Sequence, residues 1–126
     1  MKSETAEWIA KADGDRKVAQ RDILASDPVW DVICFLAQQC AEKYLKAFLE
    51  ENNITFQKTH DLVVLFNASG GLLPELSSEH RSLAYLSAFG IAARYPGAQA
   101  DRRAATDSLQ TAELVRTVIR SKLGLS

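Results

Sequence analysis

Apolar residues along this chain recur mainly every three or four positions, which is the spacing of one face of an α-helix. The clearest stretch covers residues 28–51, where two neighbouring apolar rows run side by side. Two adjacent rows make a wide apolar arc, so this helix is predicted to lie at the centre of a bundle. The first row is Val29, Ile33, Leu36, Cys40, Tyr44 and Ala47, and the second is Trp30, Cys34, Ala37, Ala41, Leu45 and Leu49.

Start and stop residues divide the rest of the chain into further helices. Asp27 is predicted to cap the central helix and Pro28 to be its first residue. No stretch alternates with a period of two, so the predicted fold is all-α: an up-and-down bundle of four main helices plus one short helix, in a single domain of residues 1–126. The other predicted helices run from Ser3 to about Ser26, from Thr59 as N-cap to Gly70-Gly71, from about Ser77 to Arg94, and from Asp101 to Lys122.

The charge balance excludes a protein that binds nucleic acid through general basicity. The 126 residues include 15 Lys and Arg against 16 Asp and Glu, a net charge of −1. Basic residues exceed acidic ones from Arg94 onward, and an asymmetry of this kind is compatible with a local binding face or with ordinary solvated surface.

No targeting or membrane segment is evident in the sequence. The longest uncharged run, residues 62–74, is too short and too rich in glycine to span a bilayer as a helix. Cys34 and Cys40 fall on different faces of the central helix and cannot pair with each other. Unpaired buried thiols are typical of a reducing compartment, so we predict a cytoplasmic protein with no membrane partner.

The common signatures of enzymes and metal sites are missing. The sequence has no glycine-rich phosphate loop, no G-x-S-x-G and no paired C-x-x-C. Its two histidines, His60 and His80, have no second ligand three or four residues away on a helix. We therefore predict no metal ion, no cofactor and no catalytic residue of a familiar type.

The polar residues offer a small set of candidate ligand contacts. Gln39, Glu42, Lys43 and Lys46 share one face of the central helix, either as solvated surface held by a Glu42–Lys46 pair or as a binding face. His60, at the start of the short helix, is a capping residue or a ligand contact. Arg94 and Tyr95 end the fourth helix, where an arginine can bind the last carbonyls or grip a phosphate with two donors.

Three blocks of the sequence together resemble the HEPN family (higher eukaryote and prokaryote nucleotide-binding domain). They are Phe35–Leu49, the K-T-H-D-L of Lys58–Leu62 and the A-R-Y-P of Ala93–Pro96, in the family's order and spacing. The resemblance covers nearly the whole chain. It implies a small helical bundle that forms a homodimer, often encoded beside a minimal nucleotidyltransferase as a toxin–antitoxin or defence pair.

Ribonuclease branches of that family carry an arginine followed after four to six residues by a histidine. This sequence has no such pair: no arginine stands at that distance before His60 or His80, and no histidine follows Arg94. The resemblance therefore implies a non-nuclease-like member. On this interpretation the residues that contact a nucleotide or RNA phosphate are Arg94, His60, Lys43, Lys46, Tyr95, Glu42 and Gln39.

Three functions remain open from the sequence. The first is a non-catalytic module that binds a nucleotide, an RNA backbone or a nucleotidyltransferase partner. The second is a divergent metal-independent ribonuclease with His60 as general base and Arg94 stabilising the phosphorane. The third is a purely structural dimerisation module.

Overall fold

The computed structural model describes residues 1–126 and consists of five α-helices with one 3₁₀ turn, Pro74–Glu79, and no strand. Four long helices and one short helix confirm the predicted all-α bundle. The helices are α1 (Ser3–Ile23), α2 (Trp30–Glu51), α3 (Leu62–Ala68), α4 (His80–Ala92) and α5 (Arg102–Lys122).

Helix α2 occupies the centre of the bundle, as its wide apolar arc predicts. It contacts each of the other four helices, and most of its residues between Ile33 and Leu49 are buried. The two apolar rows are correct except at their beginning, where Val29 is 52% exposed because it precedes the helix. None of the five helices is long and apolar enough to cross a membrane.

The predicted start of α2 is wrong by two residues. Helix α2 begins at Trp30, and neither Asp27 nor Pro28 caps or opens it. The carboxylate of Asp22, near the end of α1, accepts a hydrogen bond from the Val29 amide at 2.7 Å. An acceptor seven residues upstream therefore fixes the turn, and no local cap pattern reveals it.

The starts of two other helices also differ from the predictions. Helix α3 is capped by Asp61 and not by Thr59: the Asp61 side chain accepts from the amides of Val63 and Val64. Thr59 instead accepts from the Asp61 amide through its hydroxyl at 3.1 Å, which orders the turn before the cap. Helix α4 starts at His80, because residues 74–79 form the 3₁₀ turn.

The first helix starts at Ser3 as predicted, but it ends at Ile23, three residues before the predicted end near Ser26. Lys2 occupies the N-cap position, and no side chain provides a capping hydrogen bond there. Helix α5 agrees with its predicted bounds, and its N-cap Asp101 accepts from the Ala104 amide at 2.8 Å.

A polar cluster centred on Asp13 joins α1, α2 and α5. The buried Tyr44 hydroxyl donates to Asp13 at 2.5 Å, and Arg116 donates to the same oxygen at 3.1 Å. Arg120 lies 3.6 Å from the second carboxylate oxygen. These contacts fix the rotation of the long helices, and with it the side of α2 that faces away from α1 and α5.

Candidate functional site

The connection between α2 and α3 carries His60 onto the side of α2. Asn53, two residues after the end of α2, lies in the left-handed region with φ 57, and the Ile54 amide then donates to the Leu49 carbonyl at 2.9 Å. The following residues run alongside α2 until Asp61 caps α3. His60 therefore lies immediately before a helix whose start is fixed by its neighbour.

Glu42 receives His60 and binds two further donors. Its side chain is only 4% exposed. One carboxylate oxygen, Oε1, lies 2.8 Å from His60 Nδ1 and 3.1 Å from Gln38 Nε2. The other oxygen, Oε2, accepts from Lys46 Nζ at 2.9 Å. Three donors on one buried carboxylate form the most densely bonded polar group on this side of the bundle.

The pKa of Glu42 is lowered despite its burial. Burial by itself raises the pKa of a carboxyl group, because desolvation penalises the charged form. Hydrogen bonds from Lys46, His60 and Gln38, together with the charge of Lys46, outweigh burial and shift the pKa below its ordinary value of 4.5. Glu42 is thus a carboxylate at neutral pH and can only accept hydrogen bonds, so His60 Nδ1 carries the proton in this contact.

The two lysines of the predicted polar face are engaged within the chain. Lys46 is buried, pairs with Glu42 and lies 5.5 Å from the centre of the Trp8 ring. Lys43 points toward α1 and pairs with Asp15 at 2.6 Å. Neither ammonium group is therefore an open charge on the surface of α2.

Gln38 belongs to the same cluster and was missed by sequence reasoning. It is fully buried, and its amide nitrogen donates to Glu42 and to the His60 backbone oxygen, the latter at 2.8 Å. Its amide oxygen accepts from Gln39 at 2.8 Å. The sequence gives no signal for Gln38, because a glutamine beside an apolar arc usually faces solvent.

His60 presents its second ring nitrogen outward. The side chain is 57% exposed, and Nε2 makes no hydrogen bond within the chain. As long as the ring stays against Glu42, Nδ1 carries the proton of this contact and Nε2 is the nitrogen that faces a ligand.

Arg94 was predicted as the last residue of the fourth helix but lies two residues beyond the end of α4 at Ala92. Its guanidinium stacks on an aromatic ring of α2. The guanidinium carbon is 5.0 Å from the centre of the Phe35 ring. Arg94 is exposed and takes part in none of the ion pairs of the protein. Tyr95, the next residue, is 60% exposed. The ring thus supports the cation while its donors remain free.

Arg94 and His60 lie on the same side of α2 without touching each other. Phe35, under Arg94, and Glu42, under His60, are seven residues apart and therefore in line, about 10 Å apart along the helix axis. Gln39 lies between them and is half-buried. We call this region, formed by Phe35, Gln39, Glu42, His60 and Arg94, the Arg94–His60 surface.

The seven predicted ligand residues thus separate into two groups. The structure places Arg94, Tyr95 and His60 at the surface, with Gln39 between them, whereas Glu42, Lys43 and Lys46 are occupied by partners inside the chain. No group of three or more His, Cys, Asp or Glu side chains lies close enough to hold a metal ion.

Comparison with known proteins supports the resemblance seen in the sequence. The sequence model of the HEPN domain matches residues 5–122. A crystal structure of an archaeal HEPN homologue superposes with a TM-score of 0.76 at 23% identity, covering 97% of this chain and 98% of that one. Among curated proteins, none matches. The structural match establishes a shared fold over nearly the whole of both chains.

Proposed function

This chain belongs to the HEPN domain family, and from that premise we propose that it is a non-catalytic module that binds the phosphates of a nucleotide or of RNA. Arg94 and His60 are the contacts, and the chain acts beside a protein partner, a minimal nucleotidyltransferase, in a toxin–antitoxin or defence pair. Its site of action on this proposal is the cytoplasm.

The observation that carries the proposal is the unpaired charge of Arg94. A guanidinium is the side chain best shaped to bind phosphate with two parallel donors. In this chain it is exposed, carries no carboxylate partner and has one face covered by Phe35. A stacked guanidinium loses less rotamer freedom when it binds, which favours a ligand contact over a merely solvated side chain.

The geometry favours an extended anion over a single phosphate. Arg94 stacks on Phe35 and His60 bonds to Glu42, and these two residues of α2 are about 10 Å apart along the helix axis, which favours a ligand with more than one phosphate. A nucleoside triphosphate or two successive phosphates of an RNA strand can span that distance. Gln39, between the two residues, offers an amide to a bridging phosphate or to a ribose hydroxyl.

A second candidate, the divergent ribonuclease, is favoured by the His60–Glu42 contact. A histidine whose Nδ1 is held by a buried carboxylate is the arrangement of a general base. In that case Nε2 of His60 takes the proton from the attacking 2′-hydroxyl, and Arg94 stabilises the charge that develops on phosphorus oxygens. The separation of the two residues weighs against this candidate, since both groups would have to reach one phosphorus atom.

Calorimetry with ATP and with a short RNA tests the first proposal. Arg94→Ala is expected to weaken binding by about 1.5–3 kcal/mol, the range for a hydrogen bond to a charged group. The matched control is Arg81→Ala, since Arg81 is also exposed and unpaired but lies in the first turn of α4. Equal affinities for wild type and Arg94→Ala would refute the role of Arg94.

Cleavage of the same RNA, followed in the presence of a chelator, separates the two candidates. Binding without cleavage supports the non-catalytic module. Cleavage that disappears in His60→Ala would replace it with the ribonuclease. Co-purification of the tagged chain with a nucleotidyltransferase encoded in the neighbouring reading frame is the test of the protein partner, and separate elution of the two would contradict that part.

A further inference from the structure

The buried side-chain amide of Gln38 contacts the backbone of His60 directly and its ring through Glu42. We propose that Gln38 is the positioning residue that fixes the tautomer and direction of the His60 ring. The ligand contact of His60 rests on the proposed function above, whereas the positioning by Gln38 does not. No motif in the sequence marks this residue.

The two protons of the Gln38 amide are both used for His60. One is donated to Glu42 Oε1 at 3.1 Å, the oxygen that also receives His60 Nδ1. The other is donated to the His60 backbone oxygen at 2.8 Å. The carboxylate that binds the ring and the carbonyl of the same residue are thus tied to one planar group, so the ring cannot turn away unless a bond to Gln38 or Glu42 breaks.

Gln38 is itself immobilised. It is fully buried, and its amide oxygen accepts from Gln39 at 2.8 Å, which sets the orientation of the amide plane. Helix α4 presses against its stem: a methyl group added at Gly90 would lie 2.5 Å from Gln38 Cβ and 3.2 Å from the Cys34 carbonyl oxygen. The absence of a side chain at Gly90 lets α4 approach the Gln38 stem this closely, so Gln38 is packed between α2 and α4.

Filling space does not require an amide at this position. Methionine has nearly the same length and volume and would pack against Gly90 equally well. What methionine lacks is the pair of donors, so a comparison of the two side chains isolates the positioning role. With Gln38 in place, Glu42 accepts a hydrogen bond from Nδ1 of His60, and Nε2 is the nitrogen that remains for a ligand.

The direct test is the tautomer of His60 in Gln38→Met, read from long-range ¹⁵N–¹H correlations of the imidazole ring at pH 8.5. Wild type is expected to show Nδ1–H alone, and Gln38→Met a mixture that includes Nε2–H. Gln110→Met is the matched control, because Gln110 is also a helical glutamine but is exposed and makes no side-chain hydrogen bond; it is expected to keep the wild-type tautomer. An unchanged tautomer in Gln38→Met would overturn the proposal.

A measurement on the wild-type chain decides the question if Gln38→Met fails to fold. The side-chain amide protons of Gln38 are expected to exchange with solvent far more slowly than those of an exposed glutamine such as Gln57, and to give a scalar coupling across the hydrogen bond to the His60 carbonyl. Rapid exchange without that coupling would overturn the proposal.

The affinity for ATP tests whether the positioning of His60 by Gln38 matters for ligand binding. Gln38→Met is expected to bind about fivefold more weakly than wild type, the equivalent of one ordinary hydrogen bond, whereas the control Gln110→Met is expected to bind like wild type. If wild type binds neither ATP nor RNA, the proposed function fails, while the tautomer comparison still decides the role of Gln38.

Discussion

Glu42 illustrates how a residue can be predicted in position but not in role. The helical spacing correctly pairs it with Lys46, yet an exposed pair of this kind is worth only about 0.3–0.5 kcal/mol. In the structure both partners are buried, and His60 and Gln38 complete the set of bonds. Because a buried charge that loses its partner is left without compensation, removing one member of this cluster is expected to cost more than breaking a surface pair.

Removal of the Glu42 charge is therefore expected to destabilise the protein in a pH-dependent manner. At pH 7, Glu42→Gln should lower the free energy of unfolding by about 3 kcal/mol, since Lys46 loses its buried partner. The folded pKa of Glu42 lies below its ordinary value of 4.5. Its stabilisation is thus complete above pH 4.5 and declines as the pH falls through the folded pKa. Urea unfolding between pH 7 and pH 3 measures both effects.

Glu50→Gln is the control for that series, since Glu50 is on the same helix and its carboxylate has no partner within the chain. It should change stability by less than about 0.5 kcal/mol. A gap between wild type and Glu42→Gln that stays constant from pH 7 to pH 3 would contradict the assignment of a lowered pKa to Glu42.

At the scale of helices, the sequence predicted all five elements and the starts of α1 and α5, but not the starts of α2, α3 and α4. All five helices were predicted because each buries an apolar stripe, and such a stripe is visible in the sequence as apolar residues every three or four positions. The start of α2 depends on Asp22, and the start of α3 depends on Asp61, which directly follows His60. Which of several neighbouring cap residues is used depends on how the preceding segment is held, and local sequence does not specify it.

The contact between α2 and α4 makes a prediction about two helical glycines. At Gly90 an added methyl group would collide with the Gln38 stem at 2.5 Å, whereas at Gly14, in α1, nothing lies within 4 Å. Gly90→Ala is expected to destabilise by about 1–3 kcal/mol through overpacking. Gly14→Ala is expected to stabilise by about 0.5–1 kcal/mol, because alanine is the better helix former.

Urea unfolding of the two alanine variants beside wild type measures this difference in sign. If Gly90→Ala were as stable as wild type, α4 would not lie as close to α2 as described, and the restraint on Gln38 would be lost with it.

The candidate site was only partly accessible to sequence reasoning. Arg94, Tyr95 and His60 were found because they belong to two specific blocks, A-R-Y-P and K-T-H-D-L. Gln38 was not found, because its role arises from the backbone of a segment more than twenty residues away. Helical spacing places Lys43 and Lys46 on the same face of α2. In the structure α1 gives them different neighbours: Lys43 pairs with Asp15, whereas Lys46 lies over Trp8.

At the scale of the whole molecule, the homodimer stays a prediction. Val29, the N-cap of α2, is 52% exposed and Val32, in its first turn, is 45% exposed; they lie six and three residues before the partly buried Phe35. Neighbouring exposed apolar residues of this kind are typical of an interface, and a two-fold pair is the commonest closed assembly. We expect sedimentation equilibrium at tens of micromolar to give twice the chain mass of 13.9 kDa.

Val32→Asp should convert that dimer to a monomer without unfolding it. Val18→Asp is the matched control, since Val18 is 49% exposed but lies on α1 among charged residues; its variant should remain dimeric. A wild-type mass of 13.9 kDa at this concentration would contradict the homodimer.

Phosphate binding at the Arg94–His60 surface is tested most directly by locating a bound nucleotide. Isotope-labelled protein is titrated with ATP and then with a short RNA, while the Arg94 side-chain Nε–H signal and the His60 ring signals are followed. We expect the largest shifts at these two residues, and we expect them to shrink as salt is raised, because the contacts are to phosphate charge. Largest shifts instead at the basic cleft between α1 and α5, which includes Arg16, Lys17, Arg21 and Arg116, would contradict the account.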